Sequence, residues 1–275
     1  MEIIIVDSEA EVASIASDYL AHYANKGGNL GVATGSTPLA TYRELIRRHR
    51  AGEVTFKDCS FFALDEYVGL PIEHEQSYYH VIHNEFSDHV DVDPARVHIP
   101  DGLADDIGAA CEDYERKIIE AGGIDIQLLG IGTNGHVGFN EPASSFGSLT
   151  RIKTLHPQTV LDNARFFDSA DDVPYHVVTQ GLGTISRAGH LLLLATGTAK
   201  AHAIAASIEG PLSASMPASV LQLHPRATVV IDQAAASELK NKEYYEFTYA
   251  HKPQWQKDMW LSLIHISEPT RLLSI

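Results

Sequence analysis

A run of apolar residues that breaks directly into a glycine-dense loop constrains this fold more than any other stretch. Ile126 to Ile131 is short and almost unbroken in its apolarity, the pattern of a strand buried on both faces of a parallel sheet. Gly130, Gly132, Gly135 and Gly138 follow, and glycine accepts positive φ and lets a ligand approach the backbone closely. Among them stand Asn134, His136 and Glu141: a hydrogen-bond donor, a proton carrier and an orienting carboxylate. Ligands of open α/β sheets sit beyond the carboxyl ends of the strands, which is where such a loop lies. Taken alone, the stretch reads equally as a Gly-rich turn with a solvated histidine.

The rest of the chain repeats a strand-then-helix rhythm. Glu2 to Val6 reads as a strand, and Ser8 with Glu11 three residues on is a capping box that opens a helix to about Ala24. Asn29 to Ala33 reads as the next strand. Thr34-Gly-Ser-Thr-Pro38 then starts a helix, with Thr37 expected as N-cap and Pro38 as its first residue. Free N–H groups, three hydroxyls and a glycine there suit a phosphate, although a well-capped helix start without a ligand fits the local sequence as well. Ser60 to Leu64 is a third buried strand, and Asp65-Glu66-Tyr67 stands at its carboxyl end. Adjacent carboxylates at such a place must be solvated, paired or used. The histidines between His74 and His89 lack a metal-binding spacing and fit a partly exposed helix.

Further on, Arg96 to Ile99 reads as a short strand and Leu103 to Ala121 as a helix stopped by Gly122-Gly123. Ala143 to Val160 shows no clear period and is expected to be a loop or lid. Tyr175 to Val178, His190 to Ala195 and Ala227 to Asp232 read as strands. Gly181 to Arg187 reads as a turn and helix, Ala218 to Leu223 as a short helix, and Ala234 to Lys240 as a closing one. Arg165 lies among apolar residues in Asp162-Asn-Ala-Arg-Phe-Phe167, and Lys200 falls at a strand-to-helix junction. The alternation implies an α/β fold: a mostly parallel sheet with helices on both faces.

This reading gives a single α/β catalytic domain over residues 1–240, and a C-terminal extension over 241–275. From about His251 that extension leaves the βα rhythm, and from about Leu261 it reads as a non-native tail. With 20 basic against 36 acidic residues the formal charge is −16, which disfavours nucleic acid and anionic membrane as partners. An anionic ligand would need a locally positive site. Two cysteines without a CxxC spacing argue against a disulfide framework or a zinc site. No apolar run approaches the ~20 residues of a membrane span, and a cytoplasmic protein fits best.

Ala33-Thr-Gly-Ser-Thr-Pro-Leu39, Leu64-Asp-Glu-Tyr-Val-Gly-Leu70, the long motif from Gly130 to Pro142 and Asn163-Ala-Arg-Phe-Phe167 together closely resemble the glucosamine-6-phosphate deaminase family, in its short subgroup. The resemblance covers roughly Met1 to Lys240, in order. It implies a modified Rossmann-like fold that converts D-glucosamine 6-phosphate and water to D-fructose 6-phosphate and ammonia, with no cofactor, nucleotide or metal. It implies catalytic roles for Asp65 as base, His136 as ring-opening residue and Glu141 as its orienting carboxylate. Asn134 stands where longer members carry aspartate. Thr34, Gly35, Ser36 and Thr37, with the cations Arg165 and Lys200, are the implied phosphate site. Ser144, Ser145, Arg151 and Lys153 match positions of an allosteric site in long hexameric members, whose carboxyl-terminal portion has no counterpart here; weak or absent allostery is expected. Monomer and homo-oligomer both stay open. The rivals are a 6-phosphogluconolactonase-like hydrolase on the same fold and a non-catalytic sugar-phosphate sensor, the latter disfavoured by the lack of a helix-turn-helix or basic arm.

Overall fold

The computed structural model describes residues 1–253; the tail expected from about residue 261 lies outside the described residues. The chain opens with β1 (Glu2–Val6), α1 (Glu9–Ala24), β2 (Asn29–Val32), α2 (Ser36–Arg50) and β3 (Ser60–Ala63). Next come β4 (Asp65–Tyr67), α3 (Tyr78–Glu85), β5 (Val97–His98), α4 (Ile107–Glu120) and β6 (Ile126–Leu129). After these follow β7 (Arg151–Thr154), α5 (Pro157–Asn163), β8 (His176–Thr179), α6 (Leu182–Ile185), β9 (Leu191–Ala195), α7 (Ala201–Ile208), β10 (Ala227–Asp232) and α8 (Lys242–Ala250).

Seven strands form one sheet in the order β1-β10-β9-β6-β2-β3-β5, and every pairing in it is parallel. The central strands β6 and β9 are buried throughout, so both faces are covered there, as the unbroken apolar runs require, while the edge strands β1 and β5 are partly exposed. From β2 the chain steps outward to β3 and β5, then returns to lay β6 on the other side of β2. The sheet therefore reverses its winding between β2 and β6, where an open α/β sheet leaves a crevice at its carboxyl edge.

Local chemistry sets the helix starts. The Ser8 hydroxyl accepts from the Glu11 N–H at 3.2 Å while the Glu11 carboxylate accepts from the Asp7 N–H at 3.0 Å, closing the capping box on α1. The start of α2 differs from the sequence reading. Gly35, at φ 116°, is the N-cap and makes no side-chain cap bond; Ser36 is the first helical residue and Pro38 the third. Glycine's freedom at positive φ turns the chain two residues early, and Pro38 falls where a missing N–H loses nothing. Two other expectations are corrected. The aperiodic 143–160 stretch contains β7, part of a second sheet with the order β4-β8-β7, antiparallel throughout. The strand expected at 175–178 forms as β8 and lies in that small sheet. Residues 234–240 form turns, and the closing helix is α8, which packs against β1 with Tyr245 on the main core.

The small sheet sits over a second apolar cluster of Tyr67, Leu70, Phe139, Leu155, Val160, Val173 and Val177. It attaches to the parallel sheet directly after β3, through Leu64, whose carbonyl accepts from the Gln180 N–H at 2.7 Å. No described helix is long and apolar enough to cross a membrane.

Candidate active site

Four neighbouring strands of the parallel sheet, β9, β6, β2 and β3, each end in one of the segments singled out by sequence. Lys200 follows β9, the 130–142 loop follows β6, Thr34 to Thr37 follow β2, and Asp65 follows β3. Because all four run parallel, their carboxyl ends lie on one edge and the four segments are side by side.

The loop after β6 is shaped around His136. A Cβ on Gly132 would overlap the imidazole ring, so the ring lies against bare backbone. The Asn134 side chain turns back in both directions: its carbonyl oxygen accepts from the His136 N–H at 3.1 Å, and its amide donates to Glu141 Oε2 at 2.7 Å. Glu141 is 5 % exposed. Its Oε1 accepts from the Thr159 hydroxyl at 2.6 Å and from the His156 N–H at 3.2 Å. His136 Nδ1 stands 3.6 Å from Oε2, just beyond hydrogen-bond length. Burial pushes the Glu141 carboxyl up, but His136, Thr159 and Asn134 outweigh it and hold it down to about 2. The carboxylate is thus ionised whenever His136 needs an orienting partner.

Asp65 faces the same loop. Gly138, at φ 55°, lets the chain pass so closely that a Cβ there would stand 3.5 Å from Asp65 Oδ2 and 3.0 Å from the Thr179 hydroxyl. Burial, and then the charge of Glu66, push the Asp65 carboxyl well above the usual carboxylate range. The two adjacent acids have separate fates, because successive strand residues point to opposite faces. The Glu66 carboxylate accepts from the N–H groups of Tyr67, Tyr78 and Tyr79 at 2.8, 2.9 and 2.8 Å, and so caps α3. Burial also raises Glu66, against the pull of those three donors. Asp65 is left as the carboxylate that faces the crevice.

Arg165 lies in a short 3-10 turn, Ala164–Phe166, continuous with α5. Lys200 closes another such turn, Thr198–Lys200, ahead of α7. Burial lowers Lys200, Asp162 pulls it back up, and the positive charge of Arg165 lowers it further. The loop carrying Lys200 is tied to β10, since both Asp232 carboxylate oxygens accept from the Gly197 N–H, at 3.0 and 3.1 Å. At the start of α2 the N–H groups of Ser36 and Thr37 precede any intrahelical acceptor and have no side-chain cap, and Thr34 neighbours the hydroxyl of the partly buried Tyr78. Of the positions matched by resemblance to an allosteric site of longer family members, Arg151 donates to Asn140 Oδ1 at 2.9 Å, and Ser144 is buried. Among the described residues no group of three or more His, Cys, Asp or Glu is placed to hold a metal.

Sequence reasoning missed Thr159, His156 and Thr179, each of which holds a loop residue of the site. Thr159 and His156 fall in the stretch without a period, and no motif marks them. They become visible only when α5 folds back over Glu141.

A parallel sheet that brings a histidine–carboxylate pair, a buried aspartate and an uncapped helix start to one carboxyl edge, beside its winding reversal, defines an open α/β protein of the kind that binds ligands there. The chain belongs to the family of glucosamine-6-phosphate isomerases and 6-phosphogluconolactonases, whose model matches residues 7–230. A glucosamine-6-phosphate deaminase of Corynebacterium kroppenstedtii is 61% identical over 257 residues, 94% of this chain and 100% of that one. One of Rhodococcus opacus is 58% identical over 257 residues, 93% of this chain and 99% of its own length. The solved structure of a monomeric glucosamine-6-phosphate deaminase, described as the missing link of its superfamily, superposes with a TM-score of 0.85. It is 43% identical and covers 86% of this chain and 100% of that one. The 6-phosphogluconolactonase of Trypanosoma cruzi shares the fold, with a TM-score of 0.70 at 22% identity over 87% of this chain and 97% of its own.

Proposed function

We propose that this chain is a glucosamine-6-phosphate deaminase, converting D-glucosamine 6-phosphate and water to D-fructose 6-phosphate and ammonia in amino-sugar breakdown. The observation that carries the reading is the pairing, across one loop, of an ionised-carboxylate–histidine couple with a buried aspartate pushed up in pKa. An aldose-to-ketose deamination needs both. The names of the relatives point the same way.

The phosphate binds at the start of α2, on Gly35, Ser36 and Thr37, with Arg165 and Lys200 supplying charge that an acidic protein otherwise lacks. The sugar arrives as a closed ring. His136, oriented by Glu141, moves the proton of the anomeric hydroxyl to the ring oxygen, and the bond between C1 and that oxygen breaks. Asp65 then takes the proton from C2; the electrons of the C–H bond form the C1–C2 double bond, the C1 carbonyl π pair moves to O1, and O1 takes a proton from solvent, giving an enolamine. The same carboxyl returns the proton to C1, leaving an iminium at C2. A carboxyl raised by burial suits a group that must hold a proton and give it back. Water adds at C2, and ammonia leaves as the ketone forms.

Asn134 acts in this scheme through Glu141 and the loop backbone, since both ends of its amide are engaged there. We read Arg151 as a structural tie to Asn140 and expect weak or absent allostery. A cytoplasmic location and a partnership with a small sugar phosphate complete the reading. The test is to mix the purified chain with glucosamine 6-phosphate, without added metal or nucleotide, and to measure ammonia and fructose 6-phosphate. Release of both in equal amounts is expected. Hydrolysis of 6-phosphogluconolactone without ammonia release would move the chain to the lactonase branch, and binding without either reaction would make it a sensor.

A further inference from the structure

We propose that Thr159 is a positioning residue for the ring-opening step, its hydroxyl fixing the Glu141 carboxylate against His136; this rests on the deaminase reading. The Glu141 carboxylate is held at three points. Its Oε2 accepts from Asn134 and faces His136 Nδ1 at 3.6 Å; its Oε1 accepts from Thr159 at 2.6 Å and, less tightly, from the His156 N–H at 3.2 Å. Nδ1 is itself buried and has no hydrogen-bond partner among the described residues. How closely Oε2 meets the imidazole therefore depends on how the carboxylate is set. It is set at both oxygens, by Asn134 at Oε2 and by Thr159 at Oε1, the Thr159 bond being the shortest of those it accepts.

Thr159 is 4 % exposed, so water does not readily replace its hydroxyl. It also belongs to α5, which runs without a break into the turn carrying Arg165. One short segment thus registers both the phosphate cation and the carboxylate behind His136. A substrate phosphate that seats Arg165 seats α5, and through Thr159 it seats Glu141. The bond from a hydroxyl to an ionised carboxylate is of the stronger, charge-assisted kind.

The test compares wild type, Thr159→Val and Thr159→Ser in ammonia release from glucosamine 6-phosphate. Inhibition by the open-chain alditol of the substrate, which needs no ring opening, is measured alongside. Thr159→Val should lower kcat by about tenfold or more, as expected for losing a hydrogen bond to a charged group, with KM and alditol inhibition within about twofold of wild type. Thr159→Ser keeps the donor and should recover most of the turnover. Thr159→Ala is read by the same criteria should the valine fail to fold. Wild-type kcat in the valine or alanine variant would overturn the proposal. So would a serine variant no better than valine, or a rise in KM and weaker alditol binding at unchanged kcat, which would assign Thr159 to the Arg165 segment alone. A wild type that releases no ammonia would remove the deaminase reading itself and this inference with it.

Discussion

Replacing Asp65 with asparagine should make the protein more stable and nearly inactive at once. Asp65 is 5 % exposed, and no described cation pairs with it; its neighbour in sequence is another buried carboxylate, Glu66. Burial first and Glu66 second push its carboxyl well above the usual range. A group whose folded pKa lies above its unfolded value contributes its full stability below the unfolded value, and loses that contribution as pH rises through the folded one. As pH rises above the unfolded value the wild type therefore carries the cost of a buried carboxyl whose ionisation folding disfavours, and an amide of the same shape removes that cost. Relief of such a cost is worth on the order of 1–2 kcal/mol, within the range of single stabilising changes. For a chain of this length each kcal/mol moves Tm by about 2–4 °C, so a rise of roughly 2–8 °C is expected near neutrality and above. Loss of the base should lower kcat at least about 100-fold with little change in KM. Thermal unfolding at about pH 5 and about pH 8 separates the effects, because the gain should be smaller at the lower pH. A Tm gain independent of pH, or a lower Tm at the higher pH, would refute the electrostatic argument; normal turnover with weakened affinity would refute the role of base.

The neighbouring acid should behave in the opposite way. Glu66→Gln replaces one of the two acceptor oxygens that three backbone N–H groups share with an NH2 donor, and should lower Tm, at a cost of about 1–3 kcal/mol measured by denaturant unfolding. Gly132→Ala places a methyl where the His136 ring lies, so the ring must shift; kcat should fall while the circular-dichroism spectrum and KM stay near wild type. Arg165→Ala should raise KM before it affects kcat, and an unchanged KM would take Arg165 out of the phosphate site.

The sequence by itself determined the parallel sheet. Runs such as Ile126–Leu129 and Leu191–Ala195 can be buried on two faces only in such a sheet, and the capping box at Ser8 marked its helix start to the residue. It also exposed Asp65, Asn134, His136 and Glu141 as candidates, because their residue types and glycine setting are local properties. Local chemistry could not tell Asp65 from Glu66: the two are adjacent acids, and what separates them is that one meets the α3 amides while the other meets Gly138, distant in sequence. Nor could it find β7, a half-exposed strand whose partner β8 lies some twenty-five residues downstream, since pairing there is decided by the partner and not by an apolar period. The start of α2 moved by two residues because glycine's backbone freedom overrode the proline signal. Thr159 shows the limit best: a threonine in an aperiodic stretch has no signature of its own. Only tertiary structure gives it a role, by folding α5 over Glu141 and burying a hydroxyl where a carboxylate must be held.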